Sequence, residues 1–183
     1  MKQRKPIALM GTLATLFAGF LAGASTAKAA EQRDSDQVAK LLSEAKTLAF
    51  QVKEDADLME GFTRMNVAWQ DHAVAINNIK DHVNALGRQV AKLNDARELA
   101  APWQRTAIDR INPFMEELGG YTAAVIEHLN GTQKHTLDEY RDYLQANRDY
   151  SADLAAMIAQ FVDYGKTKQK LDRLNAKFEF PTE

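Results

Sequence analysis

From Phe62 to Leu93 the apolar and ring-bearing residues fall at Phe62, Met65, Trp69, His72, Ile76, Ile79, Val83, Leu86, Val90 and Leu93. The steps alternate three and four, which is the a/d stripe of a helix packed in a bundle or coiled coil. At 1.5 Å per residue such a helix is roughly 48 Å long. One position in the stripe is no hydrocarbon: His72 stands where a core residue should stand.

The same periodicity recurs on both sides. Before this stretch, Val38, Leu41, Leu42, Ala45, Leu48, Val52 and Met59 predict a helix over about 35–60, opened by Ser35 or Asp36 as N-cap. Asp55 falls on that stripe, unless the stripe drifts to Ala56 and Asp55 meets water. Gly61 and Thr63 interrupt the pattern, and the spacing slips there, so a turn is expected near residues 60–65. The long stripe then predicts helix 2 over about 64–99, with Trp69 as a core anchor. Its outer face carries Asn77, Asn78, Asn84 and Asn94, poor helix formers that are usually solvated.

Ala100-Ala101-Pro102 is a short connection, with Pro102 suited to the first turn of a helix. Ala107, Ile111, Phe114, Leu118, Tyr121, Val125 and His128 predict helix 3 over 102–130. Pro113 should kink it and Gly119-Gly120 should weaken it, making it the least regular of the set. Asn130-Gly131 reads as its end. Thr136 and Glu139 have the spacing of a capping box that opens helix 4, expected over about 136–175 and carrying Tyr140, Leu144, Leu154, Met157, Ile158, Phe161 and Tyr164, then Leu171 and Leu174. No stretch reads as a strand. Four amphipathic helices on short turns predict an all-α, antiparallel up-down-up-down four-helix bundle over residues 30–183.

The first 29 of the 183 residues are not part of that pattern. Lys2, Arg4 and Lys5 precede an uncharged apolar run from Ile7 to Ala24, and Ala27-Lys28-Ala29 is a small-x-small cleavage site. This is the plan of a secretory signal peptide over residues 1–29, so a periplasmic or secreted protein is expected, with no membrane span once the leader is removed. Leu21-Ala22-Gly23-Ala24 resembles a lipoprotein box with Ala24 in place of cysteine. The absence of cysteine excludes disulfides, thiolate metal sites, cysteine nucleophiles and covalently attached haem. Removing the leader changes the balance from 23 basic and 25 acidic residues to 19 and 25, a net charge of −6. Such a surface argues against nucleic-acid binding. Four stripes that can satisfy one another inside one chain predict a monomer or weak dimer.

Catalytic motifs are absent: there is no HExxH, no GxSxG, no phosphate-binding glycine loop and no Glu-x-x-His pair. The expectation is a protein that is not an enzyme and that binds a protein or envelope partner. A basic run, Lys166, Lys168, Lys170, Arg173 and Lys177, sits near the end of helix 4, where cations complement the helix dipole; a patch for anionic lipid or another polyanion is the alternative. Phe178-Glu179-Phe180-Pro181 is a short tail that can dock back on the bundle.

The segments Trp69-Gln70-Asp71-His72, His82-Val83-Asn84-Ala85-Leu86-Gly87, Pro102-Trp103-Gln104 and Asp163-Tyr164-Gly165-Lys166-Thr167-Lys168 resemble a family of small exported bacterial helical-bundle proteins. The resemblance implies fold and export, and carries no activity, cofactor or site.

Register sharpens one feature. If the turn between helices 2 and 3 centres between Ala100 and Ala101, His72 lies opposite position 129, beside His128. A turn at Thr63 puts residue 54, beside Asp55, opposite His72, and a turn at Gln133 puts His128 opposite Asp138, beside Glu139. One layer of the bundle is thus expected to gather His72, His128, Asp55 and Glu139. Three readings fit it: a buried polar layer that fixes register, a site for zinc or another divalent metal, or two imidazoles that ligate haem b. In the first reading no cofactor is present.

Overall fold

The computed structural model describes residues 33–65, 67–132, 134 and 136–178. The expected leader over 1–29, the tail Glu179-Phe180-Pro181 and Gln133 lie outside the described residues. Four long helices follow in order: α1 (Asp36–Phe62), α2 (Trp69–Asp95), α3 (Pro102–Thr132) and α4 (Asp138–Phe178), with one 3₁₀ turn at Arg97–Leu99 between α2 and α3. Among the described residues there is no strand. Each helix packs on its neighbours in the chain, and α1 also packs on α4, which closes the ring. Ser35, at the start of α1, bonds Gln104, at the start of α3. His72, at the start of α2, bonds Tyr140, at the start of α4. Like ends therefore sit together, and the bundle is up-down-up-down.

The buried stripe runs through Leu42, Val52 and Met59 of α1, Ile79, Leu86 and Leu93 of α2, Ile108, Ile111 and Leu118 of α3, and Leu144, Leu154 and Ile158 of α4. None of these helices could keep its stripe dry alone, and their burial together is what makes each long helix stable. On α1 the stripe drifts to Ala56, which is fully buried, and leaves Asp55 partly exposed.

Buried polar groups then pin the helices in pairs. The Gln104 carboxamide, wholly buried, accepts from the backbone N–H of Ser35 at 3.0 Å and of Ala101 at 2.9 Å, and donates to the Ser35 carbonyl at 2.9 Å. Gln89 donates to the Leu41 carbonyl at 3.1 Å and to Glu44 at 2.9 Å, joining α2 to α1. Thr122 donates to the Asn147 side chain at 2.7 Å, joining α3 to α4. Each bond fixes register because a one-turn slip would leave buried polar atoms unsatisfied.

Three local expectations are corrected. The first turn is Thr63–Ala68, later than expected, and helix 2 starts at Trp69 rather than at 64. Gly61 lies inside α1. That helix is carried to Phe62 by Arg64, which grips the Glu60 carboxylate at 2.6 Å, and by the Thr63 hydroxyl, which donates to the Glu60 carbonyl at 2.7 Å. Met65 is consequently 57% exposed and Trp69, on the first turn of α2, is 36% exposed rather than a core anchor. Second, α3 runs unbroken through Pro113 and Gly119-Gly120. Pro113 and Asp109, whose carbonyl loses its partner, both face solvent, where water can serve the carbonyl. Third, the capping box at the start of α4 does not form. The Glu139 carboxylate accepts from the Tyr143 hydroxyl at 2.7 Å instead, and the helix starts at Asp138.

Candidate functional site

The end of the bundle where α2 and α4 begin carries the expected polar layer in altered form. His72 is fully buried. Its Nδ1 shares a hydrogen bond with the Tyr140 hydroxyl at 3.0 Å, and its ring meets those of Phe62 and Tyr140 edge-on, with centroids 5.3 and 5.6 Å apart. The His128 ring packs on the other partner of that bond, 5.4 Å from the Tyr140 centroid. Its Nε2 donates to the Lys134 carbonyl at 3.2 Å, and its Nδ1 lies 3.8 Å from the Glu139 carboxylate. The two histidines thus share one layer, joined through Tyr140. Burial pushes the Tyr140 phenol well above its ordinary range, so at neutral pH it is a neutral hydrogen-bonding group.

Asp55 does not join them. It pairs with Nδ1 of His82 lower on α2. The cause is the six-residue turn: moving the start of α2 to Trp69 sets His72 against Phe62 and slides Asp55 toward His82. Among the described residues no three His, Asp or Glu side chains converge as metal ligands would.

A second feature lies on the outer seam of α3 and α4. Tyr143, Tyr150, Met157 and Tyr164 recur every seven residues along α4. Facing them, α3 brings His128, Tyr121, Phe114 and Trp103. The rings meet in succession: His128 and Tyr143 at 6.4 Å, Tyr121 stacked on Tyr150 at 5.4 Å, Phe114 edge-on to Tyr150 at 6.2 Å, and Trp103 edge-on to Tyr164 at 5.2 Å. Electrostatic repulsion from Glu117, with burial second, raises the Tyr150 phenol, so that ring too stays neutral at neutral pH.

The ladder has one missing rung. Between Phe114 and Trp103, α3 brings only Thr106 and Arg110 to the seam, and the α4 wall beside them carries Ala156. The missing ring leaves an open groove of about 550 Å³, floored by Met157 and Phe161 and closed at its two ends by Phe114 and by the Trp103–Tyr164 pair. Trp103 is fixed in place, since its Nε1 donates to Asp34 at 2.7 Å. Arg110 and Asp153 stand on the rims, and neither has an ion pair among the described residues. With Tyr121 level with Tyr150, Arg110 is level with Phe161, and Asp153 is eight residues away along α4, about 12 Å at the rise of an α-helix. A groove with aromatic ends, an apolar floor and a few polar rim groups has the make-up of a small-ligand site. It offers no nucleophile paired with a base.

Comparison of the chain with protein-family models, with curated proteins and with solved structures gives no match.

Proposed function

We propose that this chain is an exported, non-enzymatic bundle that binds an apolar, ring-bearing small molecule in the seam of α3 and α4. The missing rung between Phe114 and Trp103 carries the reading. Rings line the seam at every neighbouring level, so a flat apolar ligand there continues the existing stack, and edge-to-face and stacked contacts are available on arrival. Arg110 favours a ligand with an anionic group at that end. The leader supports export, and the absence of catalytic motifs supports binding over turnover. The layer of His72, Tyr140 and His128 is read as a register-fixing device, because the His72 Nδ1 is engaged by the Tyr140 hydroxyl and the His128 Nε2 by the Lys134 carbonyl.

Trp103 is the reporter. In a Trp69→Phe protein it is the sole tryptophan of the two in the chain. Titration with 8-anilinonaphthalene-1-sulfonate, an aromatic anion, is expected to quench Trp103 saturably. Ala156→Phe, which supplies the missing ring from α4, is expected to abolish the quenching while leaving the circular dichroism spectrum unchanged. Equal titration curves for the two proteins refute the groove. Export is tested separately by the mass of protein from its native host, expected to begin at Ala30; retention of residues 1–29 contradicts it.

A further inference from the structure

Helix α4 outlasts the bundle. Its last buried residue is Val162 and Lys168 still reaches Asp34, yet it continues to Phe178. Lys166, Lys170, Arg173 and Lys177, the last three beyond Lys168, follow one another in steps of four, three and four, which sets four cations in a single row. At 100° per residue Leu174 lies about 70° and Leu171 about 130° round the helix from that row, on the adjoining face, and they are 43% and 55% exposed. Lys168, off the row, is engaged by Asp34 at 3.5 Å and Asp172 at 3.2 Å. Lys166, Lys170 and Arg173 have no ion pair among the described residues. The helix dipole accounts for a cation in the last turn, where Lys177 lies, but its effect fades within that turn and does not explain Lys166 or Lys170.

We propose that this projecting segment of α4 docks on an anionic lipid surface, with the cation row on the phosphates and Leu171 and Leu174 dipping between headgroups. The charge pattern selects the occupant. A second copy of the chain would bring two cation rows together. A partner helix would find two leucines, far short of the three or four heptads that hold a coiled coil. Mobile lipid phosphates can satisfy a row of cations without a matching geometry, and leucines on the adjoining face add apolar burial. The acidic remainder of the chain is repelled by the same surface, so contact is confined to this tip. Among the described residues no helix is long and apolar enough to cross a membrane, so the helix lies on the surface.

The test uses residues 31–183, which form a compact unit of their own, and so excludes the apolar leader. Co-sedimentation is measured with vesicles of phosphatidylcholine alone and of an equal mixture with phosphatidylglycerol. The wild type is expected to bind the anionic vesicles at least about tenfold more tightly, with the preference lost at high salt. Lys170→Glu/Arg173→Glu is expected to lose binding, Leu171→Ser/Leu174→Ser to weaken it, and Arg88→Glu, an exposed cation on α2, to leave it unchanged. All these side chains are exposed, so folding is preserved, as circular dichroism can check. Absence of wild-type binding to the anionic vesicles overturns the proposal. So does equal binding by the Lys170→Glu/Arg173→Glu protein. Binding to soluble polyphosphate that matches binding to vesicles, with no effect of the leucine substitutions, assigns the patch to polyanions and overturns the lipid assignment.

Discussion

Tyr140 is the residue through which the polar end of the bundle is held. Its hydroxyl bonds His72 of α2 while its ring packs on His128 of α3, so one side chain of α4 touches two other helices. Tyr140→Phe keeps both ring contacts and removes the hydrogen bond. It is expected to cost ~1–3 kcal/mol, because a buried bond is lost and the remaining polar atom is not resolvated; the shift of the urea midpoint at constant slope measures it. The pH dependence has a definite sign. Burial raises the folded-state value of the phenol above its ordinary value of 10.0. The folded protein therefore holds this proton where the unfolded chain releases it. The stability tied to the neutral phenol is complete below that ordinary value and is lost as pH rises above it toward the raised one. Thermal melting should fall more steeply on the alkaline side in the wild type than in Tyr140→Phe. Parallel alkaline curves would remove Tyr140 from the explanation. The two tryptophans give a contrast. Trp69 is expected to tolerate truncation to Ala with a loss under ~1 kcal/mol. Trp103→Ala is expected to cost ~3 kcal/mol, since it removes a large packed ring and its bond to Asp34. Denaturant unfolding of both proteins decides the ranking.

At the level of helices, the stripes were legible and the turns were not. Steps of three and four located all four helices, because the bundle core imposes that spacing on every inward position. Where α1 stops was a contest between Gly61, which is free to end a helix, and the local grip of Thr63 and Arg64 on Glu60, which extends it. The latter won, and the stripe positions at Met65 and Trp69 became incidental. The same shift separated Asp55 from His72, whereas His128 and Glu139 stand close because the α3–α4 connection is near its expected place. The aromatic seam was written in the sequence as a second period-seven series, Tyr143, Tyr150, Met157 and Tyr164. It was obscured because it runs beside the core stripe of the same helix, and its partners on α3 emerge only once the register is known. Gly165 of α4 shows how closely that seam is packed. A Cβ there would lie 2.7 Å from Cη2 of Trp103. In an open helix Gly→Ala is worth about 1 kcal/mol of stability. Here the indole is held by Asp34 and by the edge of Tyr164, so Gly165→Ala is expected to lower the melting temperature. In a Trp103→Ala background the same substitution should raise it, as a double-mutant cycle can show. A stabilising Gly165→Ala in the wild type would mean that the indole yields freely.

Taken as a whole molecule, the bundle divides its tasks by position. Buried clamps at Gln104, Gln89, Thr122–Asn147 and His72–Tyr140 hold four helices in register. That rigidity is what keeps a gap open on the outer seam, since a loosely packed α3–α4 pair would close over it. Binding at the groove should therefore leave the clamps undisturbed. The direct test is heteronuclear NMR of the backbone amides of residues 31–183 during titration with 8-anilinonaphthalene-1-sulfonate. Saturable shifts are expected to cluster at Thr106, Arg110, Asp153 and Gln160, around the missing rung. Shifts centred instead on His72, His128 and Tyr140, or spread over the surface without saturation, would contradict the account.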